Sequence, residues 1–206
     1  MNPSNTHLIL IRHGQIQANV DKRWHGWTDS GLTEVGMEQA QKVADRIAQE
    51  HQDVSAIYAS PLQRTHNTAM AIAKRLNLDV IEEPRIKEYG IGVLEGETFK
   101  ALHADHDFFK LIDDDPHYAP EQGESINQVG ERVTSALRGF AEQHKGEKII
   151  AVSHGAAMAL ALAGILDHDW YAWDKYQFQN TSITEVILGK QPELLRLDCV
   201  QHLTTS

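Results

Sequence analysis

The sequence is poor in the features that mark secreted and membrane-spanning proteins. It contains one cysteine, Cys199, so no disulfide can join two parts of the chain, and a single thiol fits a reducing compartment. The opening residues, MNPSNTH, lack the basic region and the apolar stretch of a secretory signal. The longest apolar run, at residues 156–166, is too short to cross a bilayer. Together these absences predict a cytoplasmic protein.

Positive charge is also scarce. The 206 residues include 19 Lys and Arg against 29 Asp and Glu, which gives a formal net charge of -10. Nucleic acids and anionic membranes attract basic surfaces, so neither is an expected partner. Any affinity for phosphate must therefore come from a few residues gathered in one place.

No linker rich in Pro, Gly or Ser interrupts the chain. Its length fits one folding unit, since single domains reach about 250 residues before they divide, and we expect a single domain over residues 1–206. Strand and helix patterns alternate along it, which predicts an α/β fold: a three-layer sandwich in which helices cover both faces of a mostly parallel sheet. Apolar residues at helical spacing predict one covering helix at residues 34–50, with Met37 among its inward-facing side chains.

What the chain does have is a segment that nearly repeats: LILIRHG at residues 8–14 and IIAVSHG at residues 149–155. Such apolar runs are typical of strands buried on both faces of a parallel sheet, and ligands bind at the carboxyl ends of these strands. His13 and His154 are therefore predicted to face one crevice. A histidine after a strand is commonly only a loop residue, but the matched pair, with Arg12 beside His13, favours a functional site.

A further candidate follows the next predicted strand, VSAIYAS. Ser60, Pro61 and Gln63 predict a helix that is capped by Ser60. Arg64 then lies in the first turn, where unpaired N–H groups and the helix dipole favour a bound anion. A solvated arginine, or one paired with an acid, is the alternative. The position of Arg64 just past a strand end favours phosphate.

The segment IKEYGIGVLEGE carries Glu88 among glycines that exclude a regular helix. From spacing alone, an inert exposed glutamate is the favoured interpretation of Glu88. Residues 97–123 then form a predicted cap over the site, with a short amphipathic helix and an acidic turn. His103 and His106 in this cap suggest a metal at first sight, but a solvated helix face explains them better, and no metal site is expected.

These blocks together resemble the histidine phosphatases, also called the phosphoglycerate mutase-like superfamily, over almost the whole chain. LILIRHG, with Asn19, matches the opening RHG block of the family, and RWHGWTDSGLTEVG and YASPLQRTHNTA match the blocks that follow. IKEYGIGVLEG resembles the segment that bears the catalytic acid, GESINQVGERV resembles the GES helix, and VSHG matches the second histidine. An RHG alone would be a weak signal, but the blocks in this order are specific.

The resemblance implies a catalytic pair. His13 is expected to take a phosphoryl group onto a ring nitrogen, and Glu88 is expected to protonate the leaving oxygen and later to deprotonate water. Phosphoryl transfer spreads charge over three oxygens, so catalysis depends on positioning and electrostatics, and neither a metal nor a cofactor is expected. The implied activity is that of a metal-independent phosphomonoesterase of the histidine acid phosphatase type.

The resemblance also implies a set of residues that contact the substrate. Those expected to hold the phosphate oxygens are Arg12, Arg64 and His154. Those matching positions that complete the phosphate or substrate contacts are Asn19, His25 and Gly26. His25 stands where threonine or glutamine is common in the family, so it is either a second phosphate donor or a residue of the rim.

The resemblance leaves more than one activity open. Mutases must keep water from the phosphohistidine, and relatives with that activity carry a longer insertion after the acid segment and a longer closing tail. The compact cap and short ending of this chain favour a phosphatase of a small phosphomonoester. An aromatic rim of Trp24, Trp27, Tyr89 and Phe108 could contact the organic part. A phosphoprotein phosphatase and a phospholigand-binding regulatory module on the same fold are alternatives, and a homodimer is among the oligomeric states left open.

Overall fold

The computed structural model describes residues 4–204. The first part of the chain runs through β1 (Thr6–Arg12), α1 (Gln17–Val20), α2 (Glu34–Glu50), β2 (Val54–Ala59), α3 (Gln63–Leu76) and β3 (Val80–Glu82). The second part runs through α4 (Phe99–Ala104), α5 (Phe108–Asp114), α6 (Ile126–Gln143), β4 (Lys148–Ser153), α7 (Gly155–Leu162), β5 (Ile183–Leu188), β6 (Glu193–Cys199) and α8 (Gln201–Thr204). Short 3-10 turns lie at Pro84–Ile86, Gly92–Leu94 and Trp170–Lys175, and a π turn lies at Ala163–Asp167.

The strands form a mixed sheet in the order β3-β2-β4-β1-β5-β6. The neighbours from β3 to β1 are parallel, whereas β5 runs antiparallel to β1 and β6 antiparallel to β5. Arg12 at the end of β1 pairs with Ser153 at the end of β4. The next residues, His13 and His154, therefore leave adjacent strands side by side, as the repeated segment predicts.

Helices cover both faces of this sheet because side chains alternate between the faces along each strand. Leu8 and Leu10 point into the hydrophobic cluster that contains the buried residues of α6 and α7. Ile9 and Ile11 point the other way, into the cluster that contains the buried residues of α2 and α3. The predicted α/β fold with helices on both faces is thus confirmed.

The first turn of α3 differs from the prediction. The helix begins at Gln63, and its N-cap residue, Leu62, makes no side-chain capping bond. Ser60 lies two residues before the N-cap position, and its hydroxyl oxygen lies 2.9 Å from Nε2 of His154 and 3.4 Å from the Leu62 N–H. The predicted cap at Ser60 was wrong, but Arg64 still lies in the first turn of the helix.

The helix α2 occupies the residues predicted for it, but Met37 does not face inward. Val43 and Ile47 are fully buried, whereas Met37 is 53% exposed, so its predicted inward orientation was wrong. The inward position in this turn belongs to Gly36, where an added Cβ would lie 2.1 Å from the backbone oxygen of Gln15. The loop after β1 therefore approaches the helix too closely for a larger side chain.

Residues 97–123 contain two short helices, α4 and α5, rather than one. Thr98 caps α4 by accepting a hydrogen bond from the Ala101 N–H at 3.1 Å. Leu102, Phe108 and Ile112 are fully buried and belong to the same hydrophobic cluster as α6 and α7. This segment, the cap, is thus anchored in the main core through one row of apolar side chains.

The apolar run at residues 156–166 forms α7 and most of the π turn that follows it. Every residue from 156 to 163 is buried, and α7 packs against α6 and the Trp170–Lys175 turn. This confirms the buried helix that the sequence predicts. Over residues 4–204, no helix has the length and apolar composition needed to cross a membrane.

Candidate active site

The site lies where β1 and β4 end. His13 and His154 follow these strands, and the centres of their rings are 5.2 Å apart at an angle of 61°. Next to His13, Gly14 permits a close approach to α2, because an added Cβ would lie 2.5 Å from the backbone oxygen of Gly36. His13 lines a cavity of about 330 Å³, and His154 lies buried directly behind it.

The hydrogen bond of His13 determines its tautomer. Nδ1 lies 2.7 Å from the backbone oxygen of Gly14, so Nδ1 carries the proton and donates it, and Nε2 keeps its lone pair. Burial, and then the nearby guanidinium groups of Arg64 and Arg12, hold the pKa of His13 well below its usual range. The ring is therefore neutral at neutral pH, which is the state a nucleophilic imidazole requires.

His154 is fully buried, and both of its ring nitrogens are engaged. Nδ1 accepts from Nε of Arg64 at 3.2 Å, which leaves Nε2 to donate to the hydroxyl of Ser60 at 2.9 Å. Burial, followed by Arg64 and His13, lowers the pKa of His154 well below its usual range. This ring is therefore also neutral at neutral pH. It lies behind the residues that line the cavity.

Arg64 is fully buried behind the cavity lining. Its Nη1 donates to the backbone oxygen of Thr28 at 2.9 Å, and its Nη2 donates to those of His25 and Gly26 at 3.1 and 2.6 Å. With Nε bound to His154, each of its three nitrogens has a protein partner. In this structure Arg64 therefore organises the base of the site and contributes positive charge there, and the predicted direct contact with phosphate stays a prediction.

Arg12 does line the cavity, and it keeps an unused donor. Nη1 donates to the backbone oxygen of Phe178 at 2.5 Å, while Nε is buried without a hydrogen-bond partner among the described residues. Burial lowers the pKa of Arg12, and the charge of Glu88 opposes that shift, so the guanidinium remains protonated. A buried cationic donor without a partner is costly unless an anion binds it.

Asn19 and His25 also line the cavity. The side-chain oxygen of Asn19 accepts from the Ile16 N–H at 3.0 Å and from Nδ2 of Asn180 at 3.2 Å, so its NH₂ group is left for a ligand. His25 has a buried Nδ1 without a partner in the described part of the chain. Burial, followed by Arg64, lowers the pKa of His25. Both side chains thus offer polar atoms to a ligand.

Gly26 has a structural task. Its N–H donates to Oε2 of Glu95 at 2.9 Å and its carbonyl accepts from Arg64, which leaves no free N–H for the predicted substrate contact. An added Cβ would lie 2.2 Å from the backbone oxygen of Tyr89. Glycine is required here because the backbone of the 25–28 loop lies in direct contact with the backbone next to Glu88.

Glu88 lies against the start of α7 and lines the cavity. Its Oε1 accepts from the backbone N–H groups of Tyr89 and Ala157 at 2.9 and 2.8 Å. Its Oε2 has a longer bond, 3.3 Å, from the Ala156 N–H. Oε1 thus accepts two hydrogen bonds and Oε2 one longer bond, so Oε2 is the less engaged oxygen.

The backbone around Glu88 is held by Arg132 on α6. The guanidinium of Arg132 donates to the backbone oxygens of Arg85, Lys87 and Glu88 at 2.8–2.9 Å. It also binds both carboxylate oxygens of Glu124 at 2.6 and 2.7 Å. These bonds position the glutamate without using its side chain.

Glu95 is a positioning residue that the sequence interpretation missed. Its carboxylate accepts from the N–H groups of Gly26, Trp27 and Thr28, from the Thr28 hydroxyl and from the Ile91 N–H, at 2.8–3.2 Å. It thereby holds the loop whose carbonyl groups bind Arg64. Nothing in the sequence distinguishes Glu95 from the other acids of its segment, because the loop that it binds lies far away in the chain.

A second missed element is the turn before β5. Asn180 donates from Nδ2 to the backbone oxygen of His13 at 3.0 Å, and Thr181 donates its N–H to that of Arg12 at 3.0 Å. Thr181 adopts a φ of 58°, which is unusual for a β-branched residue, and its Oγ1 lies 3.2 Å from Nε2 of His202 on α8. This turn fixes the end of β1 from the side opposite α2.

The predicted aromatic rim was mostly wrong. Trp24 lines the cavity, but Tyr89 and Phe108 are fully buried in the main hydrophobic cluster, where their ring centres lie 6.0 Å apart. Trp27 donates to the backbone oxygen of Glu88 and lies under the ammonium of Lys87, away from the cavity. The other aromatic residues that line the cavity are Phe99, Phe109, Trp173, Tyr176 and Phe178.

The cap histidines lie apart from any metal-binding arrangement. His103 is exposed, borders the cavity and stacks on Phe109 with ring centres 4.2 Å apart. Within residues 4–204, no group of three or more His, Cys, Asp or Glu side chains is placed to hold a metal ion. The site thus combines a neutral imidazole, a carboxylate and a cationic donor without a partner around one cavity.

Comparison with known proteins gives relatives along most of the chain. The curated relatives include the probable phosphoglycerate mutase GpmB of Proteus mirabilis (strain HI4320), which is 35% identical over 189 residues, 91% of this chain and 87% of that protein. The protein of the same name from Yersinia pestis (strain Pestoides F) is 32% identical over the same shares of the two chains.

Solved structures share the fold over almost their whole length. Phosphoserine phosphatase from Entamoeba histolytica, in complex with 3-phosphoglyceric acid, has a TM-score of 0.86 at 34% identity, covering 96% of this chain and 99% of that one. A mycobacterial glucosyl-3-phosphoglycerate phosphatase in complex with VO3 has a TM-score of 0.83 at 25% identity, covering 94% and 99%. Residues 8–198 match the family described as the histidine phosphatase superfamily (branch 1). The chain belongs to this superfamily.

Proposed function

We propose that this protein hydrolyses a small phosphomonoester through a phosphohistidine formed on His13. The observation that carries the proposal is the state of His13. Its Nδ1–H is bound to the Gly14 carbonyl, its pKa is lowered by burial, and its ring lines the cavity beside the unpaired Nε of Arg12. A neutral imidazole next to a cationic donor is suited to attack a phosphate dianion.

The reaction has two displacements. In the first, Nε2 of His13 bonds to phosphorus, the bond from phosphorus to the ester oxygen breaks, and Oε2 of Glu88 gives its proton to the leaving alcohol. In the second, Glu88 takes a proton from water, the hydroxide oxygen bonds to phosphorus, and the bond from phosphorus to nitrogen breaks. Inorganic phosphate leaves, and His13 and Glu88 return to their first states. No metal takes part in either step of this proposal.

The other predicted site residues have supporting roles in this scheme. Arg12, with its free Nε, and Asn19, with its free NH₂ group, bind phosphate oxygens, and His25 offers a further donor at the edge of the cavity. His154 and Arg64 complete the phosphate site by exchanging a protein partner for a phosphate oxygen when the substrate enters. Such a transfer is stabilised mainly by positive charge of the protein placed around the three negatively charged equatorial oxygens.

The wider setting is part of the same proposal. We infer that the chain works as a single domain, with residues 97–123 as a cap over the site, and that it acts in the cytoplasm. The cap's buried side chains share the core cluster of α6 and α7, which supports one folding unit.

The second candidate is a phosphoglycerate mutase type of transfer, favoured by the names of the curated relatives. In that reaction the phosphoryl group of His13 returns to the organic acid instead of passing to water. A regulatory phospholigand-binding module is a third candidate, but the presence of nucleophile, acid and cationic donors together favours an enzyme. The products of 3-phosphoglycerate separate the first two candidates: inorganic phosphate supports hydrolysis, and 2-phosphoglycerate supports the mutase.

The decisive experiment follows p-nitrophenyl phosphate hydrolysis in EDTA for the native protein, His13→Ala and a control, His117→Ala. His117 is exposed and lies outside the cavity, so its loss should leave turnover unchanged. We expect activity in EDTA and a loss of about 10⁴-fold or more in His13→Ala. Acid quenching should trap acid-labile phosphate on the native protein and not on the variant.

The alternatives give different results. Substantial activity in a folded His13→Ala protein would overturn the nucleophile assignment, and activity that EDTA abolishes would overturn the metal-free mechanism. A phosphorylated protein without turnover would favour the mutase. An unlabelled, inactive protein that still binds phosphate would favour the binding module.

A further inference from the structure

Aromatic rings form one part of the lining of the cavity that contains His13. They come from the loop after β1, from the cap and from the segment that follows α7, and we call them the aromatic wall: Trp24, Phe99, Phe109, Trp173, Tyr176 and Phe178. Phe99 is 43% exposed, and Phe109 and Trp173 are partly buried. The wall thus presents apolar ring surface to the space next to the nucleophile.

Phe109 and Trp173 pack against the main hydrophobic cluster with part of their surface and line the cavity with another part. Leu102, Phe108 and Ile112 already anchor the cap with fully buried side chains. Phe109 instead packs between His103, at 4.2 Å, and Phe108, at 5.2 Å, with another part of its surface toward the cavity. Apolar surface that lines a concave site marks a place for an apolar part of a ligand.

The charges around the cavity restrict the ligand further. Among the described residues that line it, Glu88 is the one acid, and both of its oxygens accept backbone N–H groups. The cationic residues are Arg12 near His13 and Arg23 at the mouth, where Nη1 of Arg23 donates to the backbone oxygen of Gly96. An ammonium group on the substrate would therefore find no free carboxylate, whereas a second anionic group could lie near Arg23.

The size of the cavity favours one small molecule. Its volume of about 330 Å³ lies at the lower end of the range for ligand pockets, about 300–1,000 Å³. A phosphate group and one or two rings fill such a space, but a folded phosphoprotein segment does not. The short polar alcohols of phosphoserine and phosphoglycerate would leave the aromatic wall in contact with water.

We propose that the preferred substrates are phosphomonoesters of alcohols that carry a ring, which packs against Phe109 and Trp173. This inference rests on the proposed function, because it assigns the organic part of the substrate at the same site. Phe109 and Trp173 are the specificity-determining residues, and phosphoserine is the disfavoured substrate because its ammonium group has no partner. The ring is bound equally before and during the reaction, so it acts on KM more than on kcat.

The test compares esters with similar leaving groups, so that chemistry does not mask binding. The panel contains 2-phenylethyl phosphate, n-propyl phosphate, phosphoserine and 3-phosphoglycerate. We expect kcat/KM for 2-phenylethyl phosphate to exceed that for n-propyl phosphate by about tenfold, mainly through KM, since each aromatic contact favours binding severalfold. Phosphoserine should be the poorest of the four.

The variants are Phe109→Leu and Trp173→Leu, which keep an apolar side chain in place. Each should reduce kcat/KM for 2-phenylethyl phosphate by severalfold more than kcat/KM for n-propyl phosphate, so that the advantage of the ring substrate falls. Tyr171→Leu is the matched control, because Tyr171 is an exposed aromatic of the same segment that does not line the cavity. A loss that is equal for all esters would contradict the specificity role.

Binding of non-hydrolysable phosphonates separates this inference from the proposed function. Calorimetry should show 2-phenylethylphosphonate binding about tenfold more tightly than n-propylphosphonate, whether or not the protein turns over any ester. Equal affinity for the two phosphonates would overturn the ring proposal while p-nitrophenyl phosphate hydrolysis still supported a phosphatase. Tighter binding of the ring compound without any hydrolysis would retain the ring site and overturn the proposed phosphatase activity instead.

Discussion

The two ends of the cavity are built in different ways. We call one end the floor: Arg12, His13 and Glu88 line the cavity there, and Arg64 and His154 lie buried directly behind them. Most polar atoms of these side chains are paired. Arg64 alone donates to His154 and to three backbone carbonyl groups, and Glu88 accepts three backbone N–H groups. The aromatic wall makes ring contacts without a comparable set of hydrogen bonds.

The positions of the side chains are therefore more narrowly restricted at the floor than at the wall. A hydrogen bond defines distance and direction, and an unpaired buried polar atom is costly, so each floor residue has one acceptable position. Ring packing is weaker for each contact and tolerates other apolar side chains. Changes at the floor should therefore impair every substrate, whereas changes at the wall should alter the choice among substrates.

Among the variants that test this difference between floor and wall, Glu88→Gln is expected to have the largest effect on kcat. The amide cannot protonate a leaving oxygen, so kcat for alkyl phosphates should fall by about 10²–10⁴-fold. For p-nitrophenyl phosphate, whose leaving group needs little protonation, the loss should be far smaller. The measurement is kcat across a series of leaving groups, with and without a ring. A loss of equal size for all leaving groups would assign Glu88 an electrostatic role instead.

Arg64→Ala should reduce turnover and phosphate inhibition together for every ester, by about 10²–10³-fold in kcat/KM. The reason is that Arg64 supplies charge at the floor and holds the 25–28 loop and His154 in place. Its loss also leaves several buried acceptors unpaired, so the free energy of unfolding should fall by roughly 1–3 kcal/mol. Urea unfolding and steady-state kinetics on the same samples test both parts.

Arg64→Lys is the control for that variant, because lysine keeps the charge but cannot reproduce the planar arrangement of donors. We expect intermediate activity. If Arg64→Ala lowered stability but left the turnover of folded protein unchanged, Arg64 would be a structural residue and the floor would not extend to it.

Glu95→Gln should have a smaller effect, about a tenfold loss in kcat/KM, because the amide keeps one acceptor oxygen for the 26–28 loop. If Glu95 acts through the carbonyl groups that hold Arg64, then combining Glu95→Gln with Arg64→Ala should add little to the loss from Arg64→Ala alone. Full additivity in this double-mutant cycle would show that Glu95 does not act through Arg64. Glu97→Gln is a suitable neighbouring control.

The smallest expected effect concerns pH. Burial and the adjacent arginines hold the pKa of His13 below its unfolded value of about 6.5, so the nucleophile stays neutral as the pH falls through that value. At saturating substrate, kcat should change only severalfold between pH 8 and pH 6. NMR titration of the His13 ring, assigned with His13→Ala, checks the cause. A titration midpoint of the His13 ring at or above pH 6.5 would contradict the lowered pKa of this residue.

The same shifts predict how stability depends on pH. Because the folded-state pKa values of His13 and His154 are lowered, the unfolded chain binds more protons below about pH 6.5 than the folded chain does. Their contribution to stability is present above that pH and is lost as the pH falls, at up to about 1.4 kcal/mol per pH unit for each histidine. Urea unfolding from pH 7.5 to pH 5 should show this decline, and a flat profile would contradict it.

Most of the floor was predictable from the sequence, because Arg12, His13 and His154 lie at or directly after strand ends, whereas Glu88 was indicated by the family resemblance and not by its spacing. The apolar runs before His13 and His154 predict parallel strands, and the register of β1 and β4 places the two rings together. Arg64 could be placed in the first turn of its helix without knowledge of the true cap. Its partners could not be predicted, since the carbonyl groups that it binds belong to a loop about 36–39 residues earlier.

The wall was not predictable in the same way. Of the four aromatic residues proposed for the rim, Trp24 lines the cavity, while Phe108 is enclosed by the core and Phe109, its neighbour, borders the cavity. A rotation of one residue in a short helix decides between these two environments. Aromatic composition cannot report that rotation, because both phenylalanines belong to the same apolar run.

The α/β fold, the strand ends that carry the histidines and the identity of the candidate site side chains could all be predicted from the sequence. These follow from the apolar pattern and the motifs, which are local properties of the chain. The tertiary structure alone decided the tautomer of His13, the engagement of Arg64 by the 25–28 loop, the role of Glu95 and the members of the aromatic wall. The physical reason is that these properties depend on contacts between segments distant in the chain, where packing selects which polar atoms are paired and which ring surfaces remain open.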